Sequence, residues 1–297
     1  MFLLASRTVM AAVFTIILLA ATGKLNELWA IFKNKKALIY LIVTSVLLII
    51  DWGVFIWAVQ IGHVFDVSIG YYINPIVMLI FGIIFFKEKC QWFHITALAF
   101  MVVAIIYLIT KSDGLSYIAV ILALDWAVYS VFMKKAGFGS LVAVAGQTLI
   151  LAPFAILFLA FSDIGAAGFA GLNFGKTLLI IGSGVITAAP IILFNTCVTK
   201  LNLVIMSFAQ YLSPTFGLIC GFILKDELTT EKLISYCFIW TGLIIFLTAQ
   251  TITAKREEKK ALLEKEEIKS MPKWPAEGCV KVTDDVIVIK LGTEGEN

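Results

Sequence analysis

At 297 residues the chain has the length of one or two soluble domains. Yet 61% of it is hydrophobic and only 14% charged, with a mean hydropathy of +0.99. No globule of this size has enough polar surface for such a chain, and disorder, collagen and a disulfide scaffold are excluded with it. A net charge of +3 supplies no field for nucleic acid. The composition is that of a polytopic membrane protein.

Apolar runs of spanning length, about 20 residues each, fall in chain order at 2–22, 37–60, 64–86, 91–110, 115–133, 140–162, 175–198, 203–224 and 233–252. Nine helices are therefore expected. Period-2 alternation is absent and the linkers are short, so a porin-like barrel is excluded. Lys and Arg fix the orientation by the positive-inside rule. Lys24, Lys33, Lys35, Lys36, Lys87, Lys89, Lys134, Lys135, Lys200 and the basic start of the tail fall on one side. Arg7, Lys111, Lys176, Lys225 and Lys232 fall on the other, thirteen against five, which places the C-terminal tail in the cytoplasm of a plasma-membrane protein. Residues 254–297 are soluble in composition; 255–270 could form a charged helix and 280–291 a small hairpin, with disorder or docking onto the membrane-spanning part equally open.

An internal repeat carries the most information. Shifted by 139 positions, 64–88 falls on 203–227 without a gap, and Ser68/Ser207, Tyr72/Tyr211, Pro75/Pro214, Leu79/Leu218, Gly82/Gly221 and Glu88/Glu227 coincide. Except for the glutamates, these positions lie at i, i+4, i+7, i+11 and i+14, a single helical stripe. The same shift superposes the neighbouring spans, giving one repeat over 1–110 and a second over 115–252. A five-helix unit has an odd number of crossings, so its second copy must be inverted, as in many secondary transporters. The span 115–133 has no counterpart in the first repeat. The expectation is a ten-helix 5+5 design whose first helix is missing from this chain.

Polar groups inside spans are costly and face protein or a wet cavity. Asp51 is mid-span beside Trp52, and two readings stand: a proton or cation site, or a structural hydrogen bond to a neighbouring helix. Asp125 shares a helical face with Tyr129 and adjoins Trp126, an aromatic-lined polar surface. Arg7 opens the first span, as a partner for Asp51 or a receptor for an anionic group. Asp51, Arg7, Trp52 and Trp57 form a candidate coupling or gating set. The repeat places Tyr72, Asn74 and Pro75 opposite Gln210, Tyr211, Ser213 and Pro214 at the bilayer midplane. With Asn195, Asp125, Trp126 and Tyr129, these are the candidate substrate contacts. Pro75 and Pro214 kink their helices where backbone bonding is already broken. His63 and His94 lack a second metal-spaced ligand, and the five cysteines show no CxxC, so no metal or cofactor is expected.

The segments 51–60 (DWGVFIWAVQ), 68–75 (SIGYYINP) and 85–88 (FFKE), with 208–215 (FAQYLSPT) and 238–240 (FIW) in the second half, closely resemble the RarD branch of the drug/metabolite transporter (EamA, DMT) superfamily. The resemblance covers roughly residues 4–250. It implies ten helices in two inverted halves around a central cavity, and efflux of small metabolites or drug-like compounds. Asp51 stands where the family usually has Asn. The partners implied are a small-molecule substrate and the lipid bilayer; protons as coupling ion and a homodimer are open alternatives.

A facilitative permease or channel and a membrane-embedded enzyme compete with this reading. No HExxH, GxSxG, paired intramembrane aspartate or Walker A sequence occurs, so no enzyme is expected; nor does a repeated filter sequence. The ten-helix expectation has a simple check. Genomic sequence upstream of Met1 should encode roughly 30 in-frame residues with an apolar span of about 20 resembling 115–133, and an immediate upstream stop codon defeats it.

Overall fold

The computed structural model describes residues 1–111, 114–213, 216 and 230–270. They form α1 (Phe2–Ala21), α2 (Leu25–Lys33), α3 (Lys35–Gln60), α4 (Val64–Phe86), α5 (Trp92–Thr110), α6 (Tyr117–Ala136), α7 (Ser140–Phe161), α8 (Asp163–Ala170), α9 (Phe174–Lys200), α10 (Leu203–Gln210) and α11 (Thr230–Ser270). Among the described residues no strand occurs, and eight helices are long and apolar enough to cross a membrane. Most of the run 203–224 lies outside the described residues; α10 is its first part. The candidate hairpin at 280–291 also lies outside them.

Local chemistry sets several boundaries. The Asn34 side chain accepts from the amides of Lys36 and Ala37 at 3.0 and 3.2 Å, Ser116 from Ile118 at 3.2 Å, and Asn173 from Lys176 at 2.9 Å. Each satisfies an amide that the first helical turn would otherwise leave orphaned. Gly137 ends α6 at φ +65°, the left-handed conformation that glycine adopts without penalty. Two short helices occupy segments that the sequence reading left as linkers. In α2, Leu28 and Ile31 are buried on one face, packed with Leu19, Leu41 and Val142, while α8 follows α7 after Ser162.

Residues Met1–Leu247 pack as one compact unit, and Thr248–Asn297 form a second. Within the first, α1 packs on α7 and α9, α3 on α6, and α4 on α6 and α10. Lipid is as apolar as leucine, so the helices are held by close packing and internal hydrogen bonds rather than by expulsion of water. Small residues permit the approach. A Cβ added at Gly70 would lie 3.0 Å from the Ala119 carbonyl oxygen, one at Gly242 2.8 Å from that of Ala97, and one at Gly184 2.5 Å from that of Met10. Hydroxyls within helices bond back to carbonyls one turn earlier, as Thr8 does to Leu4 and Thr15 to Ala11. Thr15 also meets Thr148 of α7 at 3.2 Å. Large apolar side chains such as Ile17, Ile84, Leu179 and Ile186 face outward, as a lipid-covered surface requires.

The contact of α1 with α9 should be the least tolerant of added volume. Gly184→Ala is expected to destabilise by about 1–3 kcal/mol through overpacking, read as a lower melting temperature in detergent. Gly182→Ala, with nothing within 4 Å of its added Cβ, should leave it unchanged or slightly raised.

Candidate functional site

Polar side chains from six helices meet inside the unit Met1–Leu247. Asp51, Asn74, Asp125, Gln147 and Asn195 are all buried, as are Tyr72, Tyr129 and Tyr211. A satisfied network and an unsatisfied one lie among them.

The satisfied network centres on Tyr129, which is fully enclosed. Its hydroxyl lies 3.1 Å from Asn195 Oδ1 and 3.3 Å from Gln147 Oε1, and accepts from Asn195 Nδ2 at 2.9 Å. One hydroxyl proton serves one oxygen at a time, so the phenol joins α6, α7 and α9 through alternative bonds. Gln147 donates onward to the Met133 sulfur at 3.3 Å. Trp126 stacks on the Tyr129 ring with centroids 5.1 Å apart and meets Phe194 at 4.8 Å.

The unsatisfied set lies toward α1, α3 and α4. Asp51 Oδ1, Asp125 Oδ2, Asn74 Oδ1 and Arg7 Nε are buried, and none has a hydrogen-bond partner among the described residues. Asn74 is held from its other end, donating from Nδ2 to the Ala123 carbonyl at 3.0 Å. The Arg7 guanidinium does not form the ion pair with Asp51 entertained from sequence. It lies over the Trp52 ring, 4.6 Å from the centroid, and among the described residues the only ion pairs within 4.0 Å are His63–Asp66 and Glu88–Lys134. Arg7, Asp51 and Asp125 still interact electrostatically. The cluster thus holds two carboxyl groups and one guanidinium.

Of the two repeated stripes, the described part of the second touches α4 at two points. The Tyr211 hydroxyl donates to the Tyr72 carbonyl at 3.0 Å, and Gln210 Nε2 lies 2.7 Å from the Met78 sulfur. Pro75 removes the donor that the Tyr71 carbonyl would otherwise have, so Tyr211 reaches α4 beside its weakened turn, though α4 runs unbroken through Pro75. Pro214 lies outside the described residues. Ser213 is exposed, and Trp57 is 38% exposed with no ring contact among the described residues; neither joins the cluster. Tyr72 meets Tyr236 edge-on at 6.1 Å, at the foot of a cavity of about 390 Å³ lined by Gly62, Val64, Phe65, Ser68, Ile69, Leu108 and Ser235.

Sequence reasoning missed the aromatic stack that joins the two halves. His94 of α5 is buried, stacks on Phe208 of α10 at 5.9 Å and approaches Phe246 at 5.7 Å, while Phe208 and Phe246 stack at 4.0 Å. His94 lies near the start of α5 and is nonetheless buried. A detectable signal was the capping pattern, since the Gln91 amide donates to His94 Nδ1 at 2.9 Å and turns the ring inward.

The sequence profile of the EamA-like transporter family matches residues 1–110 and 115–248. The uncharacterized transporter YojE of Bacillus subtilis is 31% identical over 262 residues, covering 86% of this chain and 87% of its own. Protein RarD of Escherichia coli is 27% identical over 259 residues, covering 86% and 88%. A solved crystal structure superposes with a TM-score of 0.64 at 15% identity, covering 86% of this chain and 89% of its own; it bears on the fold alone.

Removing the central hydroxyl tests the satisfied network. Tyr129→Phe leaves buried amide groups unpaired and should cost about 1–3 kcal/mol, seen as a lower melting temperature with the helix content unchanged.

Proposed function

The chain belongs to the EamA-like transporter family, in its RarD branch, and is a membrane transporter; from that premise we propose that it exports a small metabolite or drug-like compound by alternating access between two inverted halves. The observation that carries this reading is the set of orphaned buried atoms on Asp51, Asn74, Asp125 and Arg7. Nothing in a purely structural helix bundle calls for them, because an unpaired buried polar group costs free energy. A substrate that must be bound and then released does call for them.

The charge balance narrows the substrate. Asp51 interacts with both Arg7 and Asp125, so a cluster of two carboxyl groups and one guanidinium reaches neutrality by taking up one positive charge, from a proton or from the substrate. The site suits a compound with a protonated nitrogen and an apolar or aromatic body. Trp52, Trp126 and Tyr129 offer the aromatic wall, while Asn74, Gln210 and the Tyr72–Tyr211 pair offer neutral polar contacts. Proton and substrate cation then compete for the same carboxyl groups, and uptake of one accompanies release of the other. The Lys-rich end faces the cytoplasm in this reading, with the tail on that side.

Reconstituted into proteoliposomes, the protein should move a panel of small amines under an imposed pH gradient. Asp51→Asn should abolish the dependence on the gradient, and Tyr72→Ala and Tyr211→Ala should each lower the rate by about tenfold or more, the loss of one to two well-made contacts. Ile80→Ala, at an exposed site on α4, should change little. Gradient-driven transport retained in full by Asp51→Asn, or normal rates in both tyrosine variants, defeats the assignment.

A further inference from the structure

At the end of the bundle where the Lys-rich connections lie, one carboxylate holds three elements together. Glu88 follows the C-terminus of α4. Its Oε1 accepts from the Leu203 amide at 2.9 Å and from Lys134 Nζ at 2.8 Å, and its Oε2 accepts from the Val204 amide at 2.8 Å. Lys134, in the last turn of α6, also donates to the Leu201 carbonyl at 2.6 Å. The first two amides of α10 are therefore capped from the other half of the chain rather than by their own N-cap residue, since Asn202 makes no side-chain cap. An anion at a helix N-terminus gains from the helix dipole as well as from the two bonds.

The local chain is shaped for this contact. Lys87 has φ +52°, the only non-glycine residue with positive φ among the described residues, and this left-handed turn folds Glu88 back beneath α4. A Cβ added at Gly82 would meet Glu88 Oε2 at 2.9 Å and Leu203 Cβ at 3.0 Å. Glycine is thus needed there to let α10 approach. The glutamate and lysine side chains are only 7% and 16% exposed. A shielded ion pair is tolerated only when its geometry is nearly complete, and here both carboxylate oxygens are bonded.

The opposite end differs. The N-terminus of α4 has no side-chain cap, and the cavity of about 390 Å³ opens beside Gly62, Val64 and Phe65. One end is tied by reversible polar bonds while the other holds open space. In sequence the tie recurs, because the shift of 139 positions sets Glu227 on Glu88 and Leu203–Val204 on Val64–Phe65.

We infer that Glu88, shared between Lys134 and the N-terminus of α10, is the gate that closes the Lys-rich end of the transport path and must release for that end to open. The inference rests on the alternating-access reading and adds to it the contact that switches. A staple that merely holds the two halves together would look similar at rest. The two differ in whether its loss is felt at the far end of the bundle.

Single cysteines introduced into a cysteine-free background separate them. Met206→Cys lies one turn inside the tie on α10 and is buried, whereas Ser68→Cys lines the far cavity. Each is labelled with a membrane-impermeant maleimide, in right-side-out and inside-out vesicles. Glu88→Gln should speed labelling of Met206→Cys from the Lys-rich side by about tenfold and slow labelling of Ser68→Cys from the other side, because two charge-assisted bonds are lost. Lys134→Met keeps both α10 amides capped by the Glu88 carboxylate and should act in the same directions more weakly. Faster labelling at Met206→Cys with no change at Ser68→Cys is local fraying and overturns the inference, as does no change at either site. These readouts need no substrate. Linked changes at both sites in a protein that transports none of the amine panel uphold the gate and count against the amine as substrate. Robust transport with neither site responding does the reverse.

Discussion

Every polar atom carried into an apolar bundle must find its partner within the protein, because lipid offers none. That constraint organises the chain. Thr8, Thr15 and Thr148 return their hydroxyls to carbonyls of their own helices, so they cost little and serve mainly to thin the helix surface for close packing. Tyr129, Gln147 and Asn195 close a network across three helices. Only after these are satisfied do Asp51, Asp125, Asn74 and Arg7 stand out, each with one buried polar atom that has no partner among the described residues. A close-packed scaffold surrounds a small set of deliberate exceptions, which is the pattern expected where function competes with stability.

The placement of Arg7 shows how a membrane interior handles a charge that it cannot pair directly. The guanidinium lies on Trp52 rather than on Asp51, which lets its delocalised charge use the ring face while the carboxyl group next to that ring stays open. Direct pairing would have neutralised both groups and left no polar atom for a ligand. Keeping them near each other but unbonded retains an attractive field for a charge of either sign. The cost is carried by the surrounding packing, notably the α1–α9 contact that needs a glycine at 184.

Much of this was legible in the chain itself, and the reasons differ by feature. Eight of the nine expected spans are found as helices among the described residues, and these follow from run length alone. The pairing of Tyr72 with Tyr211 is marked by the repeat, because the hydrogen bond between them spans the same 139 positions as the sequence shift. The helices α2 and α8 were not legible, since at nine and eight residues they are too short to register against spans of 20 or more. The separation of Trp57 from the cluster, by contrast, is legible in the spacing. It stands five residues, about one and a half turns, beyond Trp52, which by periodicity places it on another face. Sequence patterns identify residue types suited to a site; the helix azimuth decides which of them reach it.

Glu88 illustrates the gap between a coincidence in sequence and its physical content. The repeat marks it as special, and nothing in the sequence says that its carboxylate would cap a helix 115 residues away while holding a lysine from a third element. That contact depends on the left-handed turn at Lys87, which is unusual for a residue with a side chain, and on the space left by Gly82. The same chemistry explains why the tie is polar rather than apolar. Apolar contacts at a membrane end would exchange for lipid contacts at little cost and give no defined closed state. A carboxylate bonded by two amides and an ammonium has one narrow geometry, yet on opening each partner can be received by water at the bundle end. An element that must be firmly shut and still releasable is best made from groups that water can replace, and the shielded ends of an otherwise apolar bundle are where such groups are found.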